Sequence, residues 1–488
     1  MKLDYRSVPY RIIENGLRIV GILVFAVFVS AGDGSGGLDF IQLGSFLLFG
    51  LLLVASWESA YVRNYEYRID ADTFDIYSGV FSRREREIPF ERIQNVDIAQ
   101  NVIQRAFGIA EVRLETAGGG GSSEASLRYV SRQEADRLQE LISDRKRGTD
   151  TKRDPGDSHD ILFELDQREL GVLGLTSANM RLFGLIFGII VITSPVAAEQ
   201  ISPRLEVLLL LGPAVAILGL VVLWIVSGIQ AVLRYYGFRL FRHDEELRYT
   251  RGLLQQYDGT IPLSKIQTLM IRENILARSV GYGSLAIETA GYAPGQSGNV
   301  ESAVPIAKLD RVYELARTIE DVGDPSLTRP PKRARTRYVG RYSIVVGVLV
   351  AVLGGYHWLS GNLPLWYGAL AVWILVPPAA HLKWKNIGYY TDENYVITQN
   401  GFWTRRTTIV PYYRVQTVSS SQSIFQRRRD LATLVVDTAT SGGFWGGNAV
   451  ALDIDAGEAD RLREDVHDEF HEEIRERKRR SSGKDVLA

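Results

Sequence analysis

Apolar residues gather into blocks along this chain, and the charges lie between the blocks. Residues 19–31 are apolar but short, and reach spanning length only if Gly16, Leu17 and a snorkelling Arg18 are counted. A Gly-rich loop follows at 32–37, and residues 38–57 supply about one bilayer of helix, with Asp39 at the outer end. The pair predicts a transmembrane hairpin. The layout recurs at 182–198 with 205–233, and at 342–359 with 363–382. That predicts six spans in three hairpins. Pro195, Pro203, Pro213 and the Pro377-Pro378 pair fall in or beside them, and such prolines are tolerated where neighbours re-satisfy the backbone.

Each hairpin is followed by a polar stretch whose pattern shortens to the period of strands. Val112 and Leu114 alternate with Arg113 and Glu115, as in a half-buried strand. Leu285/Ile287 and Leu434/Val436 are the equivalents. Strands are also expected at 65–69, 73–77, 80–88, 93–99 and 125–130, with a short helix or turn at 101–107. The helix that closes the first segment begins at Ser131-Arg132-Gln133-Glu134, which has capping-box spacing.

One phrase is repeated. Ile88-Pro89-Phe90-Glu91-Arg92-Ile93-Gln94 returns as Ile261-Pro262-Leu263-Ser264-Lys265-Ile266-Gln267 and as Val410-Pro411-Tyr412-Tyr413-Arg414-Val415-Gln416. Gly79, Gly252 and Gly401 stand at one distance before the prolines. Glu115-Thr116-Ala117, Glu288-Thr289-Ala290 and Asp437-Thr438-Ala439 stand at one distance after them. The chain is therefore a threefold repeat of hairpin plus strand-rich module. The expected segments are hairpin 1–60 with module 61–145, hairpin 161–233 with module 234–322, and hairpin 338–382 with module 383–478. The stretches around 143–160 and 321–337 are linkers rich in charge or proline.

At 488 residues several units are expected. A net charge of -1 gives no pull toward nucleic acid, and the absence of cysteine excludes disulfides, thiolate metal sites and cysteine nucleophiles. Lys and Arg avoid the hairpin tips, apart from Arg204. They crowd the other flanks at Arg11, Arg63, Arg181, Arg234, Arg239, Arg341, Lys383 and Lys385. That distribution places termini and modules in the cytoplasm.

These features resemble the prokaryotic membrane-flanked domain family, also called bacterial pleckstrin-homology (PH) type 2. The resemblance rests on a hairpin, then strands carrying Ile-Pro-x-x-[Arg/Lys]-Ile-Gln, then acid-Thr-Ala. Ser7-Val8-Pro9 and Gly174-Leu175-Thr176-Ser177 add to it. It implies an α+β membrane protein with three PH-like antiparallel sandwiches or rolls, each closed by a C-terminal helix. It supplies no catalytic residues. The third copy departs, with Gln426-Arg427-Arg428-Arg429-Asp430 where the first has Gln104-Arg105-Ala106-Phe107-Gly108.

Candidate binding residues are the recurring cations Arg92, Lys265 and Arg414 in one register, and Arg105, Arg278 and Arg427 in another. They would face anionic headgroups or an acidic peptide; the alternative is that they pair with Glu115, Glu288 and Asp437 as scaffold. The basic run Lys332, Arg333, Arg335 and Arg337 reads as a topology signal compatible with headgroup binding. Pro89, Pro262 and Pro411 are scaffold at a strand edge or bulge. Gln94, Gln267 and Gln416 are scaffold too, and Gln94 is expected to satisfy buried backbone. His467 and His471 have the spacing of two zinc ligands, but no third ligand is evident, and no phosphate loop or nucleophile elbow appears. The sequence thus predicts a non-enzymatic, cofactor-free protein of the cytoplasmic membrane. It would dock a protein or peptide partner, a second membrane subunit or anionic lipid, with no nucleic acid. The alternative is a component of a peptide or lipid exporter.

Overall fold

The computed structural model describes residues 1, 3–16, 40–116, 125–147, 160–177, 212–243, 245–289, 300–320, 322–323, 325–361, 366–392, 394–439 and 449–466. They form two compact units, Met1–Ile161 with Gly237–Pro262, and Leu162–Tyr236 with Leu263–Ala488. The division at Pro262 falls inside the second copy of the repeated phrase.

In the first unit, helix α1 (Phe40–Arg63) leads into β1 (Glu66–Ile69), β2 (Thr73–Ser78) and β3 (Arg84–Pro89), an antiparallel sheet in the order β1-β2-β3. Gly79 makes the β2–β3 turn at φ +119°, where an added Cβ would lie 1.8 Å from the Ser82 carbonyl oxygen. The repeated Pro89 ends β3. A 3-10 turn, Phe90–Arg92, then carries the chain into a second sheet. That sheet begins with β4 (Ile93–Asn101), α2 (Val102–Phe107), β5 (Ile109–Thr116) and β6 (Ala125–Ser131), and is closed by α3 (Arg132–Arg147). Ser131 accepts from the Glu134 amide at 3.2 Å, so the expected cap is formed. Glu134 itself takes the Tyr67 hydroxyl at 3.2 Å.

The alternation foreseen on β5 holds, with Val112 and Leu114 fully buried. They meet Tyr67, Phe74 and Ile88 of the first sheet, with Leu138 and Ile142 of α3 over the end. Each such side chain contributes roughly 1.5–3 kcal/mol by leaving water.

The later copies repeat the plan. The second contains β7 (Asp160–Glu164), α4 (Gln167–Thr176), α5 (Gly212–Tyr235), β8 (Arg239–His243), β9 (Glu246–Arg251), β10 (Gln255–Pro262), β11 (Ile266–Asn274), α6 (Ile275–Ser279), β12 (Tyr282–Thr289), β13 (Val300–Lys308) and α7 (Leu309–Ile319). The third contains α8 (Arg333–Ser360), a 3-10 segment Trp366–Leu375, α9 (Val376–Lys385), β14 (Gly388–Thr391), β15 (Tyr395–Asn400), β16 (Thr404–Pro411), β17 (Val415–Ser421), α10 (Ile424–Arg427), β18 (Leu431–Thr438), β19 (Ala449–Asp455) and helical residues 456–466.

The modules share sheets. One sheet runs β6-β5-β4-β10-β9-β8-β7, the next β13-β12-β11-β16-β15-β14, and the last β17-β18-β19. Thus β4 of the first copy pairs antiparallel with β10 of the second, and β11 of the second with β16 of the third. The register is the same at both joints. Asn101 opposite Gln255 and Asn274 opposite Thr404 are equivalent pairs, counted from the prolines.

The expectation of six spans is corrected. Among the described residues two helices are long and apolar enough to cross a membrane, Leu218–Tyr235 within α5 and Arg333–Ser360. Only 6% of each apolar window is buried, so neither is a core helix. Residues 19–31 and 182–198 lie outside the described residues. The sixth expected span is broken at Leu375. Pro377 and Pro378 sit in the first turn of α9, and the ten residues before it are 3-10 rather than α. On α1, Leu48, Phe49, Leu52, Leu53 and Trp57 form an exposed apolar face.

Candidate functional site

Each module grips a helical segment ahead of it in the chain, residues 7–16, α4 or the start of α8, using a bulge in the strand before its closing helix. In the first copy the bulged residue is Tyr129, at φ 77° and buried. Its ring lies 5.4 Å from that of Tyr10, and its hydroxyl donates to Glu14 at 3.1 Å. In the second copy Ile306 occupies the place and packs with Leu173 of α4. In the third it is Asp453, at φ 56°, which accepts from Tyr338 and Gln426 and pairs with Arg337.

Beside the Tyr129 grip is a cavity of about 410 Å³, lined by Arg11, Arg84, Arg86, Arg128, Tyr61 and Tyr65 among others. Arg11 is tied to buried Glu58 of α1, which also accepts from Asn15 at 2.8 Å, and its guanidinium lies over the Tyr61 ring. Arg128 is held by Glu111 at 3.2 Å, whereas Arg84 and Arg86 are exposed on β3. Burial pushes the Tyr65 and Tyr129 hydroxyls above the ordinary phenol range, so both remain neutral donors. The cavity therefore combines guanidinium groups and the Tyr61 and Tyr65 hydroxyls at the foot of α1, with the Glu14 carboxylate, which takes the Tyr129 hydroxyl, also on its wall. That is a donor set for a phosphate or carboxylate. The sequence reading used Arg11 only as a topology signal and passed over Arg84, Arg86 and Arg128. Their convergence depends on β3, β6 and residues 7–16 meeting, which no local pattern announces.

The sequence-selected cations are dispersed. Arg105 ends α2 and donates to the Leu253 carbonyl at 2.7 Å. Arg278 ends α6 and donates to Asn386 at 3.3 Å and to the Phe402 carbonyl at 3.5 Å. Leu253 and Phe402 are equivalent positions, each just after the turn glycine of the next copy, so both arginines serve the joints. Burial lowers the Arg278 pKa, with Arg405 adding to the effect. Arg427, the third member, is exposed on the last copy. Arg92 is exposed and Lys265 half-buried at the ends of their 3-10 turns. Arg414 donates to the Ser264 carbonyl at 2.7 Å and lies over the Tyr413 ring. Glu288 is faced by Arg272 and Arg406, and its carboxyl is raised above the usual range mainly by burial.

In the basic run, Arg333 and Arg337 fall on one face of α8 and pair with Asp455 and Asp453, while Lys332 and Arg335 are exposed. Pro89, Pro262 and Pro411 each end a strand. Gln267 is buried and reaches the Lys265 carbonyl at 3.4 Å, whereas Gln416 is exposed. Gln94 lies on β4. Among the described residues no group of three side chains could hold a metal ion; His467 and His471 lie outside them.

A strand-rich module closed by a helix, repeated in series, defines a class. The chain belongs to the bacterial PH domain family, which matches residues 18–146, 181–322 and 344–470. Two relatives from Bacillus subtilis (strain 168) are similar to it. The UPF0699 transmembrane protein YdbT is 26% identical over 460 residues, covering 88% of this chain and 90% of that protein. The UPF0699 transmembrane protein YdbS is 31% identical over 129 residues, covering 25% of this chain and 76% of that protein.

Proposed function

We propose that the protein is a non-enzymatic, multi-pass membrane scaffold that holds its PH-like modules against the cytoplasmic leaflet and binds anionic lipid headgroups there. The observation that carries this reading is the cavity at the foot of α1. It brings Arg11, Arg84, Arg86 and Arg128 together with Tyr61 and Tyr65, close below the exposed apolar face of the same helix. Guanidinium groups beside a membrane helix attract anionic lipid, worth about 1 kcal/mol each near the surface. The third copy has cations of its own at the start of a candidate span, exposed Lys332 and Arg335 on α8. The absence of Lys and Arg from most hairpin tips supports cytoplasmic modules.

Native mass spectrometry of the full chain, released from nanodiscs of mixed phosphatidylglycerol and phosphatidylcholine, tests the reading. Retained phosphatidylglycerol is expected to fall in an Arg84→Gln, Arg86→Gln variant. Equal retention of both lipids, unchanged by the variant, would count against headgroup binding. Protease access from outside intact cells to a tag placed between Asp321 and Arg337 would contradict the orientation.

A further inference from the structure

The two internal joints follow one rule, and the third copy offers its half of a third joint with no strand seated there among the described residues. In the first two copies the later part of the strand after the 3-10 turn pairs with a strand of the next module, Ile98–Asn101 with Gln255–Asp258 and Leu269–Asn274 with Thr404–Ile409. Accordingly Val96–Gln100 of β4 and Ile266–Ile271 of β11 are buried. Their equivalent, β17, is the edge of its sheet, and Gln416, Thr417, Ser419 and Ser421 on it are exposed. At both joints the arginine sixteen positions after the proline bonds the carbonyl just past the next copy's turn glycine. Arg427 is the same residue of the third copy, and its side chain makes no hydrogen bond among the described residues.

From this continuity we infer that β17 receives a strand from a PH-like module of another protein chain. The incoming strand is the one that ends at that module's family proline, and it pairs antiparallel in the internal register. Ser420 would then lie opposite the residue four before that proline, and Arg427 would reach the carbonyl nine before it.

The internal joints also say which strand fits. Where the fourth residue before the proline is Asp258, it is buried, and Arg132 at the start of the closing helix pairs with it at 2.6 Å. Where that residue is Thr407, fully buried, the helix-start position is Leu309. Equivalence at the helix start rests on one shared bond. The amides of Arg132, Leu309 and Ala456 each donate to the carbonyl that ends the short helix's turn, on Gly108, Gly281 and Asp430. The third copy carries Ala456, with no cation for a buried acid. The incoming residue must therefore be uncharged. The chain's own free strand, β3, has Glu85 there, exposed on its edge. Seating β3 of a second copy on β17 would bury that carboxylate unpaired, which is strongly unfavourable. The occupant is a different PH-like chain, not this one.

This inference is independent of lipid binding at the α1 cavity, and its test leaves that cavity untouched. p-Benzoylphenylalanine is placed at Ser419 of the full chain in native cells, and the photo-adduct is mapped by tandem mass spectrometry. The expected adduct joins Ser419 to another PH-like chain, within the strand preceding that chain's family proline. The same probe combined with Arg427→Ala should lower the yield roughly tenfold, the effect of losing one charge-assisted hydrogen bond. Adducts on β3 of a second copy, on a protein of unrelated fold, on lipid alone, or no adduct from a protease-resistant, membrane-inserted chain would each overturn the inference.

Discussion

Arg405 and Glu273 meet across the β11–β16 pair, the guanidinium donating to both carboxylate oxygens at 2.8 and 2.5 Å. The Glu273 side chain is 1% exposed, so this joint holds a buried charge that depends on one partner from the next copy. Removing that partner by Arg405→Met should cost about 3 kcal/mol, whereas the paired change with Glu273→Leu should recover most of the loss. Thermal unfolding of the three variants in one detergent checks the pattern. Equal loss in the single and double variants would show that the pair does not hold the joint.

The other joint carries a pH dependence. Asp97, fully buried on β4, accepts from the Tyr257 hydroxyl of the neighbouring copy and from Asn95 at 2.9 Å. Burial outweighs these bonds and raises its pKa from 3.8 to about 6. An acid whose folded pKa is raised binds more protons folded than unfolded between the two values. Asp97 therefore removes stability as pH rises from 3.8 to about 6. The amount is about 3 kcal/mol. Asp97→Asn should flatten the fall in melting temperature over that window, measured against wild type at pH 4 and pH 7. An unchanged slope would assign the dependence to other groups.

The turn glycines should resist substitution. Gly401 has φ +105°, and an added Cβ would sit 2.0 Å from the Thr404 carbonyl oxygen. Gly401→Ala must move backbone in the β15–β16 turn, which feeds the strand that joins the third copy to the second. A loss of at least about 2 kcal/mol is expected from the left-handed conformation and the clash together. Gly457, which has a negative φ and only an Asp455 carboxylate oxygen at 3.5 Å from the added Cβ, is the control and should accept Ala. Urea unfolding curves of the two variants compare them directly.

Tyr129 separates grip from packing. Tyr129→Phe keeps the ring against Tyr10 but loses the hydroxyl bond to Glu14, and about 1 kcal/mol should go with it. Tyr129→Gly relieves the φ of 77° yet should lose more, because the buried ring goes too. If Tyr129→Gly proves more stable than wild type, strain at the bulge outweighs the grip.

What could be read from the chain was what is local. The glycine before each proline, the Val112/Leu114 alternation and the Ser131 cap each follow from the conformation of a few neighbouring residues, and the structure has them. The joints were not legible. Strand pairing between β4 and β10 is made by main-chain groups, and these carry no residue signature. Repetition of Arg105, Arg278 and Arg427 looked like a binding register. Two of the three are instead bonds to the next copy, and the last, Arg427, is exposed on the third copy. The pairing of Glu58 with Arg11 has no local signal either, because the two are remote in sequence. The sixth span was overread because the pattern of residues 363–382 shows composition but not the 3-10 backbone before Pro377.

The central claim is that successive modules are joined through shared sheets in one register. Disulfide trapping tests it most directly, since the chain has no cysteine of its own. Arg272 and Arg406 are direct partners across β11 and β16. Arg272→Cys with Arg406→Cys should form an intrachain disulfide in native membranes, because opposed strand residues bring their Cβ atoms within bridging range. Arg272→Cys with Thr408→Cys, slipped by two residues, should not. Bridging of the slipped pair, or of neither, would contradict the account.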